Sequence, residues 1–134
     1  MYNEIIPRLF LGDQQDAIDF AEKVPDGHII CVLEQRPGNE PFKSMHIPVL
    51  TSSGHVHSDQ LNKVACIIDA LLKQGNPLLI HCGAGIERSP LTVAWFLHKY
   101  LRLDNISEAY NLIKSKRPQI ADRSEWLVVD HAGS

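Results

Sequence analysis

The feature that most constrains this chain is a junction. Three apolar residues, Leu78-Leu79-Ile80, run without a break into His81-Cys82; after five intervening residues come Arg88-Ser89-Pro90 and a segment reaching Tyr100. A short apolar run with no polar alternation is the pattern of a strand covered on both faces. Gly75-Asn76-Pro77 ends whatever precedes it, and Pro90 suits the first turn of a helix, where its missing N–H costs nothing. The stretch HCGAGIERSP therefore reads as a buried strand, a tight loop and a helix.

The rest of the chain supplies partners for that unit. Arg8-Leu9-Phe10-Leu11, ended by Gly12, reads as a strand, and a short helix is expected from Gln14 to Glu22 before the turn Pro25-Asp26-Gly27. His28 to Leu33 is a second continuous apolar strand. After a loop from Arg36 to Pro41, Ser44 to Val49 reads as another strand and Thr51 to His57 as an irregular polar loop. Ser58 has the chemistry of an N-cap, with Asp59 where a helix dipole favours negative charge. Leu61, Val64, Ala65, Ile68, Leu71 and Leu72, spaced by threes and fours, give that helix one apolar stripe. Further helices are expected over Pro90 to Tyr100, Ser107 to Lys116 and about Arg123 to His131. Early strands with helices around and after them predict an α/β fold, a mostly parallel central sheet flanked by helices. The loop after a central strand lies where open α/β sheets place their ligands.

A length of 134 residues, 44% of them hydrophobic and 22% charged, suits one domain spanning 1–134 with a real core. No run approaches the ~20 apolar residues of a membrane span, and the start Met1-Tyr2-Asn3-Glu4 lacks the form of a secretory signal, so no membrane partner is expected. A net charge of -3 with interleaved signs argues against nucleic acid as a partner. Three cysteines, an odd number without a CxxC pair, argue against a disulfide framework or a zinc site and point to a reducing, cytoplasmic setting. Cys31, in an apolar run, and Cys66, after Val64-Ala65, read as small buried hydrophobes. Cys82 needs another explanation.

Two glycines among Gly83, Ala84, Gly85, Ile86 and Glu87 let a short loop curl so that its backbone N–H groups converge, which makes an anion nest. The following helix adds the positive end of its dipole to the same spot. Loop N–H groups and a helix N-terminus both stabilise a thiolate, so Cys82 is placed as a nucleophile. Arg88 can offer two parallel N–H bonds to the equatorial oxygens of a phosphoryl group. Ser89 is positioned to hydrogen-bond the Cys82 sulfur, and His81 to orient the loop rather than to act as a base. No lysine stands at Gly83, Ala84, Ile86 or Glu87, so the extra charge suited to a phosphoinositide headgroup is missing.

His81-Cys82, five residues, then Arg88-Ser89, with Gly85 between, resemble the signature of the protein tyrosine phosphatase superfamily, and the short chain resembles its small dual-specificity branch. LFLG near the start, His46-Ile47-Pro48, and Lys116-Arg117-Pro118 are similar to that branch in order and spacing. The resemblance implies hydrolysis of phosphorylated protein or peptide substrates through a cysteinyl-phosphate intermediate, with Cys82, Arg88 and Ser89 catalytic, residues 83 to 88 binding phosphate, and no metal or cofactor.

Two positions depart from the pattern. The resemblance implies an aspartic acid soon after His46-Ile47-Pro48 to protonate the leaving oxygen, but Thr51 and Ser52 stand there. Asp59 is the nearest carboxylate, with a competing place in a first helical turn; His55 and His57 share its loop without a third residue at metal-ligand spacing. Glu87 precedes Arg88 where the branch has a small or neutral residue, so its carboxylate is expected to point outward or to pair with a base. Asp122 is a further acid, expected either near the pocket or, as the plainer reading, as a charge at the start of the last helix beside Ser124. Besides an enzyme, the missing acid leaves a second reading, a phosphate-binding module that holds phosphorylated partners with little turnover.

Overall fold

In a computed structural model the described residues are 1–35, 38, 40–51 and 54–129. In chain order the elements are β1 (Asn3–Ile6), β2 (Leu9–Gly12), α1 (Gln14–Lys23), β3 (His28–Cys31), β4 (Met45–His46), β5 (Val56–His57), α2 (Ser58–Lys73), β6 (Leu78–His81), α3 (Arg88–Tyr100), α4 (Ile106–Lys116), a 3-10 turn (Ser124–Trp126) and β7 (Leu127–Val128). The main sheet runs β1-β2-β6-β3-β4, parallel except for the β1–β2 hairpin. β5 and β7 form a separate parallel pair.

The apolar run at Leu78 takes the central place for the reason its pattern suggests. Side chains alternate across a strand, and Leu78 and Ile80 bury into the large core under α2, α3 and α4, whereas Leu79 faces the smaller cluster of Ala17, Phe20 and Ile29 under α1. α2 buries its predicted stripe, and α3 buries every residue from Ser89 to Leu97, as a helix surrounded by sheet and helices must.

Several boundaries differ from expectation. β1 has only Ile5 and Ile6 as apolar residues and gains its place by pairing with β2. Only Met45 and His46 of the expected strand 44–49 are regular. Ile47 N–H still donates to Cys31 O and Val49 N–H to Val32 O, but Pro48 between them has no donor to continue the ladder. His57, not Ser58, occupies the N-cap of α2, and Ser58 is a buried first-turn residue. Cys66 is exposed, not buried, because it falls off the stripe between Ala65 and Ile68; Cys31 is buried. The expected helix from Arg123 is a single 3-10 turn followed by β7. Leu127 and Val128 satisfy their backbone against β5, a pairing no local pattern announces. Residues 36, 37, 52 and 131, on which other expectations fell, lie outside the described residues.

Candidate active site

β6 ends at His81, so Cys82 emerges at the carboxyl edge of the sheet between β2 and β3. Its loop is held from outside, carbonyl by carbonyl. Gly83 O accepts from Gln14 N–H at the start of α1 (3.0 Å), Gly85 O from Arg117 Nε (3.1 Å), and Ile86 O from Ala121 N–H (2.9 Å). In a planar trans peptide the N–H points opposite to the C=O. Outward carbonyls at 83, 85 and 86 therefore turn the N–H groups of Ala84, Ile86 and Glu87 inward, and these residues line a cavity with Cys82, Gly83, Arg88, Leu33 and Trp126. That orientation is the one an anion nest requires.

Gly85 is needed twice over. Its φ of 69° is left-handed, and a Cβ there would lie 2.6 Å from Gly12 O and 2.8 Å from Arg117 Nη2. Arg117 is itself 2% exposed; besides Gly85 O it donates to Met1 O (2.6 Å) and Asn3 Oδ1 (2.9 Å) and lies 3.9 Å from Asp16. Its role as a strut for the loop follows from the Lys116-Arg117-Pro118 motif only once the fold brings α4 to β1.

Cys82 is 5% exposed, and its Sγ lies 3.1 Å from Ser89 Oγ, the contact expected from the sequence. His81 is fully buried with Nδ1 against Cys82 O (3.2 Å); burial is the main influence and holds its imidazole below the ordinary value, against the pull of that hydrogen bond and of Glu40 and Asp13. Arg88 Nη2 reaches Glu34 Oε1 and Thr51 Oγ1, each at 3.4 Å. Glu34 had no signal in the sequence; it follows the apolar run His28 to Leu33, and only the fold shows that this run ends beside Arg88.

Thr51 thus stands at the rim of the site with a hydroxyl and no carboxyl, and Ser52 lies outside the described residues. Gln60 holds the preceding residue at both ends, accepting from Leu50 N–H (2.7 Å) and donating to Leu50 O (3.0 Å). Asp59 is exposed in the first turn of α2 and does not line the cavity. His55 and His57 are exposed. Asp122 is exposed and does not line the cavity; it accepts from Ser124 N–H (2.9 Å), at the start of a 3-10 turn rather than of the expected helix. Glu87 pairs with a base, as anticipated: Arg123 Nε and Nη2 both lie 2.8 Å from its Oε2.

The chain is 32% identical over 123 residues to the Dictyostelium discoideum "MAP kinase phosphatase with leucine-rich repeats protein 3", a match covering 88% of this chain and 14% of that one. It is 30% identical over 131 residues to human "Dual specificity protein phosphatase 9", covering 92% of this chain and 34% of that protein. It therefore spans about a third or less of the length of these curated relatives. Among solved structures, human DUSP28 superposes with a TM-score of 0.75 at 21% identity, over 93% of this chain and 86% of that one, a likeness of fold. The family model described as "Dual specificity phosphatase, catalytic domain" matches residues 9–128, and the chain belongs to that family.

Proposed function

We propose that the chain forms one phosphatase domain that hydrolyses phosphotyrosine in protein or peptide substrates, and phosphoserine and phosphothreonine more slowly, through a cysteinyl-phosphate intermediate. One observation carries the reading: Cys82, Ala84, Ile86, Glu87 and Arg88 line one cavity, and the loop carbonyls of Gly83, Gly85 and Ile86 are held by groups that do not line it. That arrangement supports reading Cys82 as a nucleophile beside a preorganised anion site.

In the first step the Cys82 thiolate attacks phosphorus in line. The S–P bond forms, the P–O bond to the substrate breaks, and the N–H groups and Arg88 bear the charge on the equatorial oxygens. In the second, water attacks phosphorus, inorganic phosphate leaves, and Ser89 Oγ, 3.1 Å from the sulfur, stabilises the departing thiolate. With a threonine at position 51, the leaving oxygen takes its proton from solvent. Positioned proton donors contribute about 10²–10⁴-fold, so a phenolate, which needs protonation least, leaves faster than an alkoxide. Three cysteines, an odd number without a CxxC pair, suit a reducing compartment, the cytoplasm.

The test is release of phosphate from p-nitrophenyl phosphate and a phosphotyrosine peptide, with EDTA present, at pH 5 to 7. Wild type turns over both, and Cys82→Ser loses at least about 10³-fold. Phosphate release that persists in Cys82→Ser, or none from wild type, overturns the reading.

A further inference from the structure

We propose that Trp126, braced by Arg123 and Glu87, is a specificity-determining wall of the cavity that selects phosphate groups carried on an aromatic ring. The inference rests on the phosphatase reading and adds to it the residue that chooses the substrate class.

The cavity has an apolar side wall at each end of the phosphate loop. Leu33 stands at the first end; its Cδ2 lies 3.9 Å from where a Cβ on Gly83 would be, and His46 Nε2 fixes the Leu33 carbonyl at 2.6 Å. Trp126 stands at the last end, partly buried, on the 3-10 turn that leads into β7. Between these walls lie the sulfur and the N–H groups that would hold a phosphate. A ring attached to that phosphate has apolar surface on both sides, whereas a serine phosphate offers one methylene to the same walls.

Trp126 is also tied to the loop. The Arg123 guanidinium sits 5.2 Å from the centre of the Trp126 ring and donates to Glu87, the residue before the phosphate clamp. Arg123 is anchored through its backbone N–H to the hydroxyl of buried Tyr110 (3.2 Å), and Trp126 N–H closes the turn on Arg123 O (2.9 Å). β5 pairs with β7 immediately beyond. The unusual Glu87 thereby acquires a role: its charge, which would repel phosphate if free, is neutralised by the cation that positions the aromatic wall.

Selection by a wall is separable from selection by leaving group, because it persists when nothing leaves. The experiment measures binding of phenylphosphonate and methylphosphonate to wild type, Trp126→Leu, Trp126→Phe and Arg123→Met by calorimetry, with circular dichroism to confirm folding. Wild type binds the phenyl compound at least about tenfold tighter. The proposal expects Trp126→Leu, which keeps an apolar side chain in the turn, to cut that preference to under about threefold, Trp126→Phe to retain most of it, and Arg123→Met to fall between, through a wall no longer held in place. An unchanged preference in folded Trp126→Leu, or equal weakening of both ligands, overturns it. Because no turnover is read, failure here is distinct from failure of Cys82-dependent hydrolysis.

Discussion

At the scale of the residue, the site depends on what surrounds Arg88. Its Nη2 is shared between Glu34 and Thr51 at 3.4 Å each, and under the proposed function a phosphate would compete with the half-exposed Glu34 carboxylate for it. Exposed pairs of this kind contribute about 0.2–1 kcal/mol. Glu34→Gln is therefore expected to tighten inorganic phosphate binding by up to about fivefold, read as a competitive inhibition constant. Arg88→Lys keeps the charge and loses the planar fork; kcat/KM for p-nitrophenyl phosphate should fall about 10²–10³-fold. The contact of Cys82 with Ser89 was legible in the sequence, because a short glycine-bearing loop between a buried strand and a helix leaves the residues at its two ends close together. Glu34 was not legible, because nothing along the chain says that the end of one strand meets the start of a helix 54 residues later.

At the scale of the element, the loop is a product of its neighbours. α1 begins with a capping box in which Asp13 accepts from Asp16 N–H (2.7 Å) and Asp16 accepts from Asp13 N–H (2.9 Å), and the next N–H, on Gln14, holds Gly83 O. Asp13→Ala should cost about 0.5–2 kcal/mol in denaturant unfolding and lower kcat/KM as well, since the first loop carbonyl loses a firm partner. Gly85→Ala forces a side chain into a left-handed residue 2.6 Å from Gly12 O. It should abolish turnover and lower the midpoint of thermal unfolding by several degrees. Helices α2 and α4 were readable within a residue or two because each presents an apolar stripe, and α3 because Pro90 suits a first turn. The last segment was not: Trp126, Leu127 and Val128 are consecutive large apolar residues that fit a helix turn or a strand, and the choice was made by the free edge of β5.

At the scale of the whole molecule, burial couples the site to stability. His81 is enclosed beneath the loop and its imidazole is held below the ordinary value of 6.5, chiefly by burial. The unfolded chain then binds a proton more readily than the folded one. The stabilisation is complete above pH 6.5 and is lost as pH falls through the folded value. Urea midpoints measured from pH 7.5 to pH 5 should decline for wild type and decline less for His81→Gln; parallel slopes would remove His81 from that account. Among the described residues no helix is long and apolar enough to cross a membrane. The junction at Cys82 shows how the work was divided between sequence and fold. The sequence alone determined a buried strand, a glycine-bearing loop and a helix carrying Cys82 and Arg88, because apolar runs, glycine and spacing act locally. Only the tertiary structure decided which groups reach that loop, with Arg117 and Gln14 holding its carbonyls, Glu34 meeting Arg88, and Arg123 bringing Trp126 to the cavity. Those contacts join residues remote along the chain, and hydrogen bonds and ion pairs at such separations exist only once the sheet and helices have packed.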